Sequence, residues 1–180
     1  MNTFYNVKQI LAVSDIKGNI TGSIEKWEAH KTGVLHKGFS IGILYKDKLL
    51  LQNRKHPAFD GMFDFTSSSH QVFKGKKLQS LNEAVLDCLI REWNLQPKAF
   101  AYKPEYKGYV YYKAKDPKSV FTEHEICDLL VTEVKEIPTP NFDFSYGYSL
   151  VSREELTDKN SRIYKNLVPW VKKMIEKNLV

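Results

Sequence analysis

The sequence predicts an α+β fold, a mixed sheet with flanking helices, and three features carry that prediction. Short runs rich in aromatic and β-branched residues recur along the chain, bounded by Gly, Pro, Asn and Asp. Two S-x-x-E capping boxes, Ser80 with Glu83 and Ser152 with Glu155, open helices among and after those runs. The length of 180 residues, without internal repeat or interdomain linker, fits one domain spanning 1–180. Hydrophobic residues at 42% and charged residues at 27% are ordinary globular usage, which argues against disordered and fibrous classes.

Residues 9–13 read as a first strand, and Asp15-Ile16-Lys17-Gly18-Asn19 supplies the turn before Ile20 resumes extended structure as a hairpin. Residues 23–30 predict a short helical turn, with Ser23 as its cap and Lys26 in reach of His30 at i, i+4. Strands over 39–45 and 49–54 pair across Lys46-Asp47-Lys48. Residues 55–59 contain a Pro and form a loop; residues 63–68 return as a strand, with Phe63 and Phe65 on one face and His70 just past its end.

After Ser80, the residues Ala84, Leu86, Leu89 and Trp93 share one helical face, so a helix is predicted over 81–93. Asn94 ends it in the left-handed conformation, and Pro97 prevents its continuation. Two aromatic strands, 100–106 and 109–114, follow with a join near Lys107-Gly108; then come a loop at 116–119, a strand over 126–134, a stiff Pro-containing connection at 137–141 and a last strand over 146–151. The second capping box opens a short helix. A final amphipathic helix carries Leu167, Trp170, Val171, Met174 and Ile175, with Pro169 either kinking it or marking its first turn.

Lys and Arg number 27 against 21 Asp and Glu, a formal charge of +6 that suits an anionic partner. The lysines are spread along the chain apart from Lys74-Gly75-Lys76-Lys77 and Lys172-Lys173, the pattern of a solvated surface and not of a nucleic-acid face. Cys88 and Cys127, in a helical and a strand pattern without a CxxC pair, read as buried free thiols of a reducing compartment. No apolar run approaches the ~18 residues of a membrane span, and the N-terminus lacks the order of a signal peptide. These features predict a cytoplasmic protein, monomer or homodimer, with a small-molecule partner and neither membrane nor nucleic acid.

The chemistry centres on Thr66-Ser67-Ser68-Ser69-His70 and the other histidines. His30 and His36 bracket a loop, His70 ends a strand, and Glu123 and Glu125, two residues apart, would share one face of a strand. Three imidazoles and two carboxylates make an N/O set suited to Mn²⁺, Fe²⁺, Zn²⁺ or Mg²⁺, and the alternative is a set of unrelated surface histidines. No Ser/His/Asp arrangement is available to turn the serines into nucleophiles.

The same residues, in this order, resemble the type 1 isopentenyl diphosphate isomerases of the Nudix superfamily. The resemblance runs through residues 18–30 with their G-x-x-x-G-x-x-E-K pattern, Leu35-His36-Lys37-Gly38-Phe39-Ser40, Leu50-Leu51-Gln52-Asn53-Arg54, residues 61–70, Glu83 to Glu92, Glu123-His124-Glu125 and Pro169-Trp170. It implies a Nudix-like fold, a diphosphate substrate and the shift of its double bond from isopentenyl to dimethylallyl diphosphate. By resemblance His30, His36, His70, Glu123 and Glu125 hold a divalent metal, Mn²⁺, Zn²⁺ or Mg²⁺. Glu92 is the one Nudix glutamate that such isomerases retain, holding Mg²⁺ against the diphosphate. Lys26, Ser40 and Arg54 match diphosphate-binding positions, Tyr112 resembles the tyrosine beside the catalytic glutamate, Glu125, and Trp170 resembles the indole that faces a carbocation.

The sequence departs from that pattern at telling places. Ser68 stands where the family has its catalytic cysteine, and an alcohol is far less acidic than a thiol of pKa about 8.5. An arginine that relatives carry on the long helix corresponds to Cys88, and a lysine after Arg54 has no counterpart. The remaining acidic positions of the Nudix box fall on Gln79, Cys88 and Arg91. Two alternatives therefore stand beside the isomerase: a diverged Nudix hydrolase of another diphosphate, and a catalytically weak metal- and diphosphate-binding protein.

Overall fold

The computed structural model of the protein describes residues 3–180. After a 3₁₀ turn at Thr3–Asn6, the chain forms β1 (Ile10–Ser14), β2 (Ile20–Glu25), α1 (Lys26–Thr32), β3 (His36–Tyr45), β4 (Lys48–Arg54), β5 (Phe63–Asp64), β6 (Ser67–Ser69), β7 (Phe73–Lys74) and β8 (Lys77–Leu78). It continues through α2 (Leu81–Trp93), β9 (Glu105–Lys115), β10 (Thr122–Glu133), β11 (Ser145–Val151), α3 (Arg153–Thr157), α4 (Arg162–Lys165) and α5 (Pro169–Glu176). Among the described residues no helix is long and apolar enough to cross a membrane.

The strand β3 is the axis of the sheet. One edge pairs in parallel with β10, from His36 beside Glu125 to Leu44 beside Glu133. The other edge is shared in succession by β1 at His36, β6 at Phe39 to Ile41 and β4 at Ile43 to Tyr45, all antiparallel. β9 and β11 extend the sheet beyond β10 and β4. A parallel pair requires a long crossover, and α2 lies within the connection that supplies it.

Alternation along the strands divides the core between the two faces. Leu49, Leu51, Leu129 and Val131 pack with Leu167, Trp170, Val171 and Met174 around α5. Leu50, Leu130, Phe39, Ile41 and Ile43 pack with Ala84, Val85, Cys88, Leu89 and Trp93 of α2. Both cysteines are free and buried, as their patterns suggest.

The helix α2 has the expected bounds, with a complete Ser80/Glu83 capping box and Asn94 at φ 52°. Pro169 is at the first turn of α5 and does not kink it. Four expectations need correction. Ser23 belongs to β2, and the cap of α1 is Glu25, whose carboxylate accepts from the backbone of Trp27 at 2.9 Å and Glu28 at 3.0 Å. Of the two expected aromatic strands, residues 100–104 lie outside any strand, and 105–106 join 109–114 in a single strand, β9: its partner register passes from Leu129 opposite Gly108 to Leu130 opposite Tyr106, so Lys107-Gly108 is a bulge and not a turn. The segment 63–68 divides into β5 on β4 and β6 on β3. β10 begins at Thr122, four residues earlier than its apolar run, and so takes in both site glutamates.

Candidate active site

The topology brings the metal-ligand candidates to one end of β3. His36 opens that strand, Glu125 is its direct partner on β10, His70 follows β6 on the opposite edge, and His30 is on α1 above them. Glu123 and Glu125 share a face of β10, as their spacing predicts. His124 between them points the other way, its Nδ1 2.8 Å from the Gly33 carbonyl and its Nε2 3.0 Å from the Tyr111 hydroxyl. One ligand atom from each of His30, His36, His70 and Glu123 lies within 4.8 Å of the others. His30 Nε2 is 3.0 Å from Glu123 Oε2, and His70 Nε2 is 2.8 Å from Glu125 Oε1, which also lies 3.5 Å from His36 Nε2.

The hydrogen bonds fix which nitrogen faces inward. The Nδ1 atoms of His30 and His36 sit 2.5 Å from the Lys26 carbonyl and 2.8 Å from the Val34 carbonyl, so each Nδ1–H donates to backbone and leaves Nε2 as an electron-pair donor. His36 Nε2 and His70 Nε2 are 3.3 Å apart. Burial pushes His70 down to about 4, so that its imidazole is neutral although Glu125 acts the other way. Burial raises Glu125, but its hydrogen bonds with His36 and His70 outweigh that and hold it well below the usual carboxylate range. Glu123 Oε2 is buried without a partner in hydrogen-bond geometry. Converging imidazole nitrogens, carboxylates held below their usual range and a carboxylate oxygen without a hydrogen bond fit a divalent cation.

Gly38 makes room for Glu125. It sits on β3 beside Cys127, and a Cβ there would stand 2.6 Å from Glu125 Oε2, closer than atoms pack. Glu125 Oε2 accepts from the Tyr112 hydroxyl at 2.6 Å across the β9–β10 ladder. Burial and the adjacent Glu125 raise the Tyr112 phenol well above its usual value and keep its proton in place.

A narrow cleft opens beside this cluster, lined among others by Lys26, Arg54, Ser68, His70, Tyr112 and Trp170. Its floor turns on Asp64, a residue that the sequence reading passed over. Asp64 is fully buried and accepts from Arg54 Nη1 at 2.5 Å, Trp170 Nε1 at 2.8 Å and Ser68 Oγ at 3.0 Å. A charged residue between Phe63 and Phe65 was the available signal, because a carboxylate in an apolar strand needs partners. Ser40 does not reach the cleft. It is 0% exposed and bonds to Ser68 Oγ at 2.7 Å, so it buttresses Ser68 in place of the expected diphosphate contact. Trp170 directs its N–H at Ser68 and Asp64, and the Arg54 guanidinium stacks 5.1 Å from its ring.

Lys26 is 3% exposed and makes no ion pair among the described residues. Burial, reinforced by nearby Arg91, lowers its ammonium to about 8. Glu92 is in the opposite condition. Its Oε1 receives Arg91 Nη2 at 2.7 Å and Cys88 Sγ at 3.5 Å, and its Oε2 receives Ser67 Oγ at 2.9 Å and Gln52 Nε2 at 3.2 Å. Both oxygens are occupied by protein donors, one of them a guanidinium, and this donor set does not fit the expected Mg²⁺ ligand.

No family model matches the chain. It is 27% identical over 161 residues to an isopentenyl-diphosphate Delta-isomerase of Roseobacter denitrificans, covering 87% of this chain and 86% of the relative. It is 24% identical over 192 residues to isopentenyl-diphosphate delta-isomerase 2 of Homo sapiens, covering 96% and 83%. A MutT NUDIX hydrolase of Burkholderia pseudomallei shares the fold, with a TM-score of 0.56 at 14% identity over 79% of this chain and 96% of that one.

Proposed function

We propose that this isopentenyl diphosphate isomerase-like protein, an enzyme with the Nudix fold, converts isopentenyl diphosphate to dimethylallyl diphosphate by proton transfer at Glu125. The observation that supports this most is the setting of Glu125, with Oε1 among the imidazoles and Oε2 on the Tyr112 hydroxyl beside a cleft that holds an unpaired, buried Lys26. The reaction adds one proton to the terminal alkene carbon and removes one from the carbon next to the branch, with no net change of charge or oxidation state. Glu125 and Tyr112 are placed to hold or move a proton at Oε2. Ser68 also faces the cleft, already hydrogen-bonded to Asp64, Ser40 and Trp170.

His30, His36, His70, Glu123 and Glu125 would hold the divalent metal, Mn²⁺, Zn²⁺ or Mg²⁺, which supplies Lewis acidity when bound. Lys26 and Arg54 face the diphosphate, although Asp64 already neutralises Arg54. Protein incubated with isopentenyl diphosphate, Mg²⁺ and Mn²⁺ in D₂O should yield dimethylallyl diphosphate carrying deuterium. Ser68→Cys should raise the rate about 10-fold or more, because a thiol exchanges a proton near neutrality far more readily than an alcohol. Absence of exchange in both proteins would refute the proposal, and phosphate release from a panel of diphosphates would favour a hydrolase instead.

A further inference from the structure

Three cationic side chains line the cleft, and their pairing is uneven. Arg54 is neutralised by Asp64, while Lys26 is buried and unpaired. Arg91, which stands at an acidic position of the Nudix box, reaches back along α2 so that its Nη2 contacts Glu92 Oε1 at 2.7 Å and Cys88 Sγ at 3.2 Å. Residues adjacent in a helix do not normally face each other, so this pairing needs the guanidinium to be held from elsewhere. The Phe4 ring does so at 4.2 Å and the Phe144 ring at 5.6 Å. Arg91 Nε is buried with no hydrogen-bond partner, a donor left over in the wall of the cleft.

A divalent ion bridging a carboxylate to a diphosphate has to present positive charge to both. The Arg91 guanidinium already does half of this, since it is bonded to Glu92 on one side and lines the cleft with its remaining donors. A guanidinium offers five N–H groups in a planar fork and binds phosphate oxygens in pairs. Glu92 has no free oxygen for a metal, and no second helix carboxylate stands where a Nudix enzyme places one: those positions are Gln79, Cys88 and Arg91. Gln79 is turned to Asp87 and the Val72 backbone.

We infer that Arg91 replaces a divalent cation at Glu92, so that the diphosphate is anchored by Arg91 and Lys26 without a metal on that carboxylate. The inference rests on the reading that the cleft takes a diphosphate, but it does not require that the bound molecule be isomerised. It confines the protein's metal dependence to the His/Glu cluster.

The test uses inorganic pyrophosphate as probe, titrated calorimetrically into protein whose His/Glu cluster has been filled, at increasing free Mg²⁺. Wild type should bind with a Kd that changes less than about threefold across the series. Arg91→Met should weaken binding at least tenfold, and Arg91→Lys should recover part of the loss. Because Arg91→Met strands the buried Glu92 charge and could unfold the protein, Arg91→Met/Glu92→Gln is the second variant. A merely structural Arg91 predicts normal pyrophosphate binding in that double variant, whereas the inference predicts the same tenfold loss. Strict Mg²⁺ dependence in wild type, or undiminished binding in the double variant, overturns it. Arg91-dependent binding without isomerisation would sink the isomerase reading alone, and isomerisation with a silent Arg91→Met/Glu92→Gln variant would sink this inference alone.

Discussion

Single residues decide how far this site follows its relatives, and Asp64 decides most. Its carboxylate ties Arg54, Trp170 and Ser68 into one network, so two expected substrate contacts are drawn into holding the floor of the cleft. Removing one member of a buried ion pair typically costs 3–5 kcal/mol, because the partner charge stays buried. Asp64→Asn should therefore lower the unfolding free energy by about 3 kcal/mol in urea titrations, since Arg54 is only 4% exposed. A loss below about 1 kcal/mol would mean that Arg54 finds water or another partner. The metal candidates were legible in the sequence because histidine is scarce, five in 180 residues, and Glu123 and Glu125 stand two apart in a strand pattern. Asp64 drew no assignment and Ser40 was expected at the diphosphate, because sequence gives position along a strand but not the partner across it.

At the level of elements, legibility followed local signals. The helix α2 carries its cap, its apolar stripe and its terminator within its own residues, and its bounds came out as read. The strand β9 depends on what β10 does beside it, so a bulge at Gly108 passed for a turn. The short α4 and the β7–β8 hairpin have little apolar pattern, and neither was anticipated. The strand β3 matters most to the site, through a residue with no side chain. Gly38→Ala should force the Glu125 carboxylate off β3, weaken metal binding roughly 10–100-fold, and leave the fold intact. Gly42→Ala is the control: its Cβ would meet the end of Leu49 at 3.3 Å, with Val131 Cγ2 and the Leu130 carbonyl at ordinary contact distances of 3.7 and 4.0 Å. Metal titration followed by circular dichroism of both variants would separate them, and unchanged affinity in Gly38→Ala would remove Gly38 from this role.

Across the whole molecule, a shared Nudix fold accommodates a candidate His/Glu ligand set that the fold alone does not dictate. α2 packs one face of the sheet and directs Glu92 at the same cleft that His70, just past β6, and Glu123 and Glu125 of β10 line. Fold class was readable from pattern. The division of labour between Arg91 and Glu92 was not, because it depends on side chains of α2 meeting Phe4 from the far end of the chain.

The parallel pairing of β3 with β10 also sets the order of events during assembly. Hairpins such as β1–β2 close over a few residues, but Glu125 meets His36 only after the whole intervening chain has found its place, and such distant pairings form late. The candidate metal site is thus expected to be among the last parts of the protein to form. In stopped-flow refolding with Co²⁺ as a spectroscopic probe, the ligand-field band should rise with the slowest phase, after most far-ultraviolet ellipticity has returned. A band in the dead time would mean that the imidazoles gather the ion before the sheet is built, and that the ion guides the sheet.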